Sequence, residues 1–74
     1  MTLLDLEAGE RATVKEIPGE DLQYQLSFSD IYPGSEVEVV GKFPGMGVLL
    51  LKANEELATL QQDKAKSIEI EKLS

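Results

Sequence analysis

The sequence predicts a mainly β fold, a small barrel of five short strands with one short helix between the first and second strands. Runs that alternate apolar and polar residues recur along the chain, and such alternation is typical of strands with one buried face. Proline and glycine turns separate these runs at the spacing expected of a small all-β barrel. The 74 residues are predicted to form a single domain, residues 1–74.

The first strand is predicted over residues 11–17, after an apolar lead of three leucines. Ala12 and Val14 alternate with polar residues, which gives this strand one buried and one wet face. Pro18–Gly19 ends it, because a Pro-Gly pair is a strong turn signal.

A different periodicity marks residues 20–29. Leu22 and Leu26 are four apart, the spacing of one helix face, and acidic residues stand at the front, where the helix dipole favours them. We therefore predict a helix of about two turns that buries both leucines. Tyr24 and Phe28 lie on another face, since a spacing of two residues turns about 200° around a helix, so one of them should stay partly exposed.

The second strand is predicted over residues 36–43, directly after Pro33–Gly34. Proline followed by glycine suits a type II turn, in which glycine takes a positive φ. Val37 and Val39 should face the core, and Glu36 and Glu38, which alternate with them, should face water.

The rest of the chain predicts three further strands. Residues 48–54 form an apolar strand, residues 67–73 a closing one, and residues 56–61 either a strand or a helical turn. Residues 62–68 predict a tight turn, such as a single 3₁₀ turn. Residues 48–51 are apolar on both faces, which permits a weak homodimer as well as ordinary core packing.

Composition excludes several classes of function. The chain has no cysteine and no histidine, which removes thiolate zinc sites, disulfides and nucleophile–histidine pairs. Its net charge is −7, and its basic residues are scattered singly, unlike those of a nucleic-acid reader. Neither a signal peptide nor a membrane span is predicted, so a cytoplasmic protein is expected.

Pairs of carboxylates are the only candidates for catalysis or cation binding. They lie on predicted wet faces or in turns, away from any pocket that would shift a pKa. An EF-hand pattern is absent, and iron sites usually add imidazole or thiolate ligands. No catalytic, metal or cofactor site is therefore predicted, and we expect a protein that is not an enzyme. These pairs are Glu36 with Glu38, Glu55 with Glu56, and Glu69 with Glu71.

The order of these features resembles the FeoA family of small SH3-like proteins associated with bacterial ferrous iron uptake. The family begins with a leucine-bearing lead that ends in Gly-Glu, and it has a short helix followed by Pro-Gly and a valine strand. The matching positions here are Leu3, Leu6, Gly9, Glu10, Leu22, Leu26, Ile31, Pro33, Gly34, Val37, Val39 and Val40, and later Pro44, Gly45, Leu57, Leu60, Ala65, Ile68 and Ile70.

The chain also departs from the family pattern. The Leu-Gly pair that follows the helix in the family is Ser29-Asp30 here, and glycine would take the left-handed helix-cap conformation more easily than aspartate. Arginines that the family often carries are replaced by Gln23, Gln25, Gln61 and Gln62. A partner surface that is basic in relatives is therefore expected to be neutral or acidic here.

The resemblance implies a cytosolic, non-enzymatic accessory that binds and regulates FeoB, a membrane transporter with a cytosolic GTPase domain. The contact region expected from it is the corner between helix and turn, formed by Leu26, Phe28, Ile31 and Tyr32. One alternative is a stand-alone module related to the C-terminal domain of metal-dependent transcription regulators. An RNA-binding barrel and a small hydrolase fit the charge and the missing histidine and cysteine less well.

Overall fold

The computed structural model describes residues 1–73, and Ser74, the end of the predicted domain, lies outside the described residues. Five strands form, and one helix lies between the first two, as predicted. Residues 56–61 are a strand, and the turn predicted after them contains a one-turn helix. The elements are a 3₁₀ turn Leu3–Asp5, β1 Arg11–Glu16, α1 Glu20–Ser27, β2 Glu36–Phe43, β3 Val48–Ala53, β4 Glu56–Gln61, α2 Gln62–Ala65 and β5 Glu69–Leu73.

All five strands belong to one antiparallel sheet with the order β4-β3-β2-β1-β5. Closure into a barrel through strand pairing, which the sequence predicted, is not found among residues 1–73, because β4 and β5 are the two edges of the sheet. The N-terminal segment occupies the edge of β5 instead, where Thr2 forms a β-bridge with Glu69. The fold is consistent with an SH3-like domain whose sheet remains open.

The core lies on one face of the curved sheet and follows the predicted alternation. Val37 and Val39 are buried in β2, and Leu22 and Leu26 are the buried residues of α1. Burying each such side chain stabilises the fold by roughly 1.5–3 kcal/mol. The remaining core residues are Leu3, Leu6, Ala12, Val14, Ile17, Ile31, Leu49, Leu51, Ala53, Leu60, Ala65, Ile68 and Ile70.

A β-bulge interrupts β2. Its register with β3 shifts between Val39 and Gly41, so Val40 is the additional residue and is exposed. A side chain at Gly41 would lie 3.3 Å from the ring of Phe43. The bulge and the glycine therefore allow β2 to continue to Phe43, whose ring lies beside the bare backbone at Gly41 on the outer face of the sheet.

Candidate protein interaction surface

Helix α1 ends in a Schellman motif that directs the chain into β2. The Ile31 N–H donates to the Leu26 carbonyl and the Asp30 N–H to the Ser27 carbonyl, both at 3.0 Å. Asp30 has a φ of 57°, the left-handed conformation that glycine adopts more easily. Asp30 therefore takes the left-handed conformation that the family resemblance implied for this position.

The type II turn that follows is also formed as predicted. The Ser35 N–H donates to the Tyr32 carbonyl at 2.9 Å, and Gly34 has a φ of 98°. The Ser35 hydroxyl in turn accepts the Tyr32 N–H at 3.0 Å. These bonds hold the backbone of Tyr32 at the corner between helix and strand.

Three aromatic side chains are exposed along this helix and corner. Tyr24, Phe28 and Tyr32 are 68%, 73% and 50% exposed, and we call them the aromatic surface. The rings of Tyr24 and Phe28 meet edge to face, with their centroids 4.8 Å apart, a favourable aromatic geometry. Both rings of the helix are exposed, although the sequence predicted exposure for only one of them.

The structure divides the four residues of the predicted contact region into two layers. Phe28 and Tyr32 are exposed, whereas Leu26 and Ile31 are 4% and 2% exposed and belong to the core. In this conformation a partner would meet only the two aromatic residues, because the two aliphatic ones are buried in the core. Tyr24 was not in the predicted region. Its spacing of four residues from Phe28, on the helix face opposite the leucines, would have identified it as an exposed neighbour of Phe28.

Gln23 and Gln25 of α1, where the resemblance implied arginine in relatives, make structural contacts. The Gln23 Nε2 donates to the Ile17 carbonyl at 2.8 Å, which ties the helix to the end of β1. The Gln25 Oε1 accepts from the Lys64 Nζ at 2.9 Å, which ties it to α2. These neutral side chains hold the helix in place while contributing no positive charge to the surface beside the aromatic rings.

Glu10 joins the N-terminal lead to the last strand. Its Oε1 accepts the Glu7 N–H at 2.7 Å, and its Oε2 pairs with the Lys72 ammonium of β5. The backbone hydrogen bond from Glu7, followed by the hydrogen bond from Lys72, lowers the pKa of Glu10 below its ordinary value. The Gly-Glu of the lead thus has a structural role in this chain.

The three carboxylate pairs lie mostly on the surface. Five of the six side chains are exposed, and the half-buried one, Glu38, is paired in register with Arg11 on β1 and Lys52 on β3. This is a favourable cross-strand arrangement of opposite charges. Residues 1–73 gather no group of three or more carboxylates that could hold a metal ion, and no cavity is found among them.

No helix within the described part of the chain is both long and apolar enough to cross a bilayer. The exposed large apolar side chains include the three of the aromatic surface.

Topology and surface together define a small SH3-like β domain. The solution structure of the FeoA protein from Chlorobium tepidum is 25% identical, with a TM-score of 0.86 over 100% of this chain and 71% of that chain. The model of the FeoA domain matches residues 1–72, and the chain belongs to the FeoA family.

Two further solved structures share the fold. Iron(II) transport protein A from Clostridium thermocellum is 28% identical, with a TM-score of 0.87 over 99% of this chain and 46% of that chain. A manganese-dependent transcriptional repressor is 20% identical, with a TM-score of 0.86 over 97% of this chain and 40% of the repressor. The likeness to the repressor is one of fold alone. Among curated protein sequences, none matches this chain significantly.

Proposed function

We propose that this protein is a cytoplasmic, non-enzymatic accessory of ferrous iron uptake that binds and regulates an FeoB transporter with a cytosolic GTPase domain. Membership of the FeoA family supports this function. The exposure of Phe28, at 73%, is the observation that carries the choice of contact surface. Exposed aromatic side chains are the usual anchors of protein interfaces.

The aromatic surface is suited to such a contact because its backbone is held in one conformation. The Schellman motif and the type II turn hold the helix end and the corner, and Leu26 and Ile31 fill the space beneath. This chain therefore loses little backbone entropy when a partner covers Phe28 and Tyr32. The neighbouring glutamines leave the contact dependent on apolar burial and hydrogen bonds rather than on positive charge.

The test is calorimetric titration of the protein with the cytosolic part of an FeoB transporter from the same source, with and without a GTP analogue. Phe28→Ala and Tyr32→Ala should each weaken binding by about tenfold or more if the two rings anchor the contact. Phe43→Ala is the matched control, because it removes a ring that is 45% exposed at the far end of β2.

The result distinguishes the choice of contact surface from the choice of partner. Binding that all three variants retain in full would refute the aromatic surface as the contact while leaving the partner in place. Absence of binding in both nucleotide states, with the wild-type protein folded, would refute the binding of this part of the transporter.

The second candidate is a stand-alone module related to metal-dependent transcription regulators. The fold likeness to the manganese-dependent repressor, at a TM-score of 0.86, is the observation that favours it. The family match favours the transport accessory, since it covers residues 1–72 and rests on the sequence. Failure of the titration would move the second candidate to first place.

A further inference from the structure

The two edges of the sheet differ in how their backbone groups are paired. The Ile70 N–H of β5 donates to the Met1 carbonyl at 3.0 Å, and the Leu3 N–H donates to the Ile68 carbonyl at 3.1 Å. The N-terminal segment thus covers the edge at β5. No hydrogen bond from any described residue reaches the outward backbone groups of β4.

Those outward groups belong to Leu57, Thr59 and Gln61. The β3–β4 hairpin has a two-residue loop, Asn54–Glu55, with both φ angles positive, so Ala53 and Glu56 form the first hydrogen-bonded pair. Hydrogen-bonded pairs then alternate along the ladder, and the even-numbered residues of β4 face β3. Consistently, the N–H of residue 62 donates to the Gly47 carbonyl beside β3 at 2.8 Å.

Strand β4 also lacks the devices that usually protect an edge. Its six residues, ELATLQ, contain no proline and no lysine, and its register with β3 is regular from end to end. Leu57 on this strand is 63% exposed. An edge of this kind is a template for another strand.

We propose that two copies of this chain associate by antiparallel pairing of β4 with β4. With Thr59 opposite the same residue of the second copy, Leu57 lies opposite Gln61, and the outward groups of all three residues become hydrogen-bonded. This register also keeps the buried face of each sheet on the same side, because the paired residues differ by even numbers.

Charge placement favours a second copy as the occupant. The only charge on β4 is Glu56, at its first residue, so the two glutamates lie at opposite ends of the paired strands. Each acidic hairpin tip, Glu55–Glu56, comes beside α2 of the other copy, where Asp63 is outnumbered by Lys64 and the following Lys66, so this segment has a net positive charge. The net charge of −7 on each copy opposes association at long range, so added salt should strengthen the dimer.

The experiment combines sedimentation equilibrium with amide NMR of the full chain. A six-residue edge buries less than the roughly 1,200 Å² of a stable interface, so concentrations up to about 1 mM are needed. The mass should rise from 8.1 kDa towards twice that value, and more so at about 0.5 M salt than at about 0.02 M. The amides of Leu57, Thr59 and Gln61 should shift with concentration, and those of Ala58 and Leu60 should shift less.

Two variants and a control make the test specific. Thr59→Pro removes only an outward N–H and leaves the ladder with β3 intact, and should abolish the dimer. Thr59→Lys should also abolish it by placing two lysines opposite each other. Ala8→Lys makes the same charge change at an exposed residue outside β4 and should associate like the wild type.

Three results would overturn the proposal. One is a mass of 8.1 kDa, that of the single chain, at a protein concentration of about 1 mM in high salt. Another is a set of concentration-dependent shifts confined to the aromatic surface. The third is a dimer that persists in both variants of Thr59.

Discussion

Leu26→Ala and Phe28→Ala change positions two residues apart at the C-terminal end of α1, yet we expect them to differ by several kcal/mol in the free energy of unfolding. Leu26 is 4% exposed, and truncating a buried leucine costs about 2–5 kcal/mol. Phe28 is 73% exposed and its ring packs against that of Tyr24. Removing the ring should therefore lower the free energy of unfolding by about 1 kcal/mol or less.

The assay is urea unfolding followed by far-UV circular dichroism, because the chain has no tryptophan. A domain of this size loses about 1 kcal/mol of stability per molar urea, so Leu26→Ala should lower the unfolding midpoint by roughly 2 M or more, or unfold the protein outright. Phe28→Ala should move it by less than about 1 M. Equal losses in the two variants would show that Phe28 belongs to the core, and the aromatic surface would no longer be a credible contact.

Four further changes test other parts of the structure. Asp30→Gly and Glu55→Gly each relieve a positive φ and should stabilise the fold by about 0.5–1 kcal/mol, seen as a higher Tm; an unchanged or lower Tm would contradict the strain argument. Glu10→Gln should reduce the loss in the free energy of unfolding that occurs as the pH falls into the acidic range. The Glu7 N–H and then Lys72 lower the pKa of Glu10 in the folded state. The stabilisation that the ionised Glu10 contributes is therefore present above pH 4.5, the ordinary pKa of the group, and is lost as the pH falls through the lower folded-state pKa. Equal losses of stability with falling pH in the two proteins would refute this assignment. Arg11→Ala removes the only arginine and should leave any stimulation of the partner GTPase unchanged; its loss would indicate an arginine finger.

The strands were predictable where one face is buried and the other is wet. The alternation in residues 11–17 and 36–43 identified β1 and β2, and the buried valines of β2 are those expected. In the same way, the spacing of Leu22 and Leu26 predicted both the helix and its inward face. These patterns are local because the geometry of a strand or helix alone assigns each side chain to a face.

Other features depend on contacts far apart in the chain. The bulge at Val40 follows from pairing with β3, and the coverage of β5 follows from hydrogen bonds to the N-terminal segment. The glutamine contacts of α1 likewise join it to the end of β1 and to α2. No local periodicity encodes such contacts, so the sequence predicted a closed barrel where the structure has one covered and one uncovered edge.

By itself the sequence determined four of the five strands, the helix between the first two and the resemblance to the FeoA family, since each of these depends on residue type and short-range spacing, and that resemblance in turn implied the left-handed cap at Asp30. Only the tertiary structure decided that Leu26 and Ile31 lie beneath the surface while Tyr24, Phe28 and Tyr32 lie on it. The physical reason is that exposure depends on which distant elements pack over a side chain, and the described fold leaves half or more of each of these three side chains exposed.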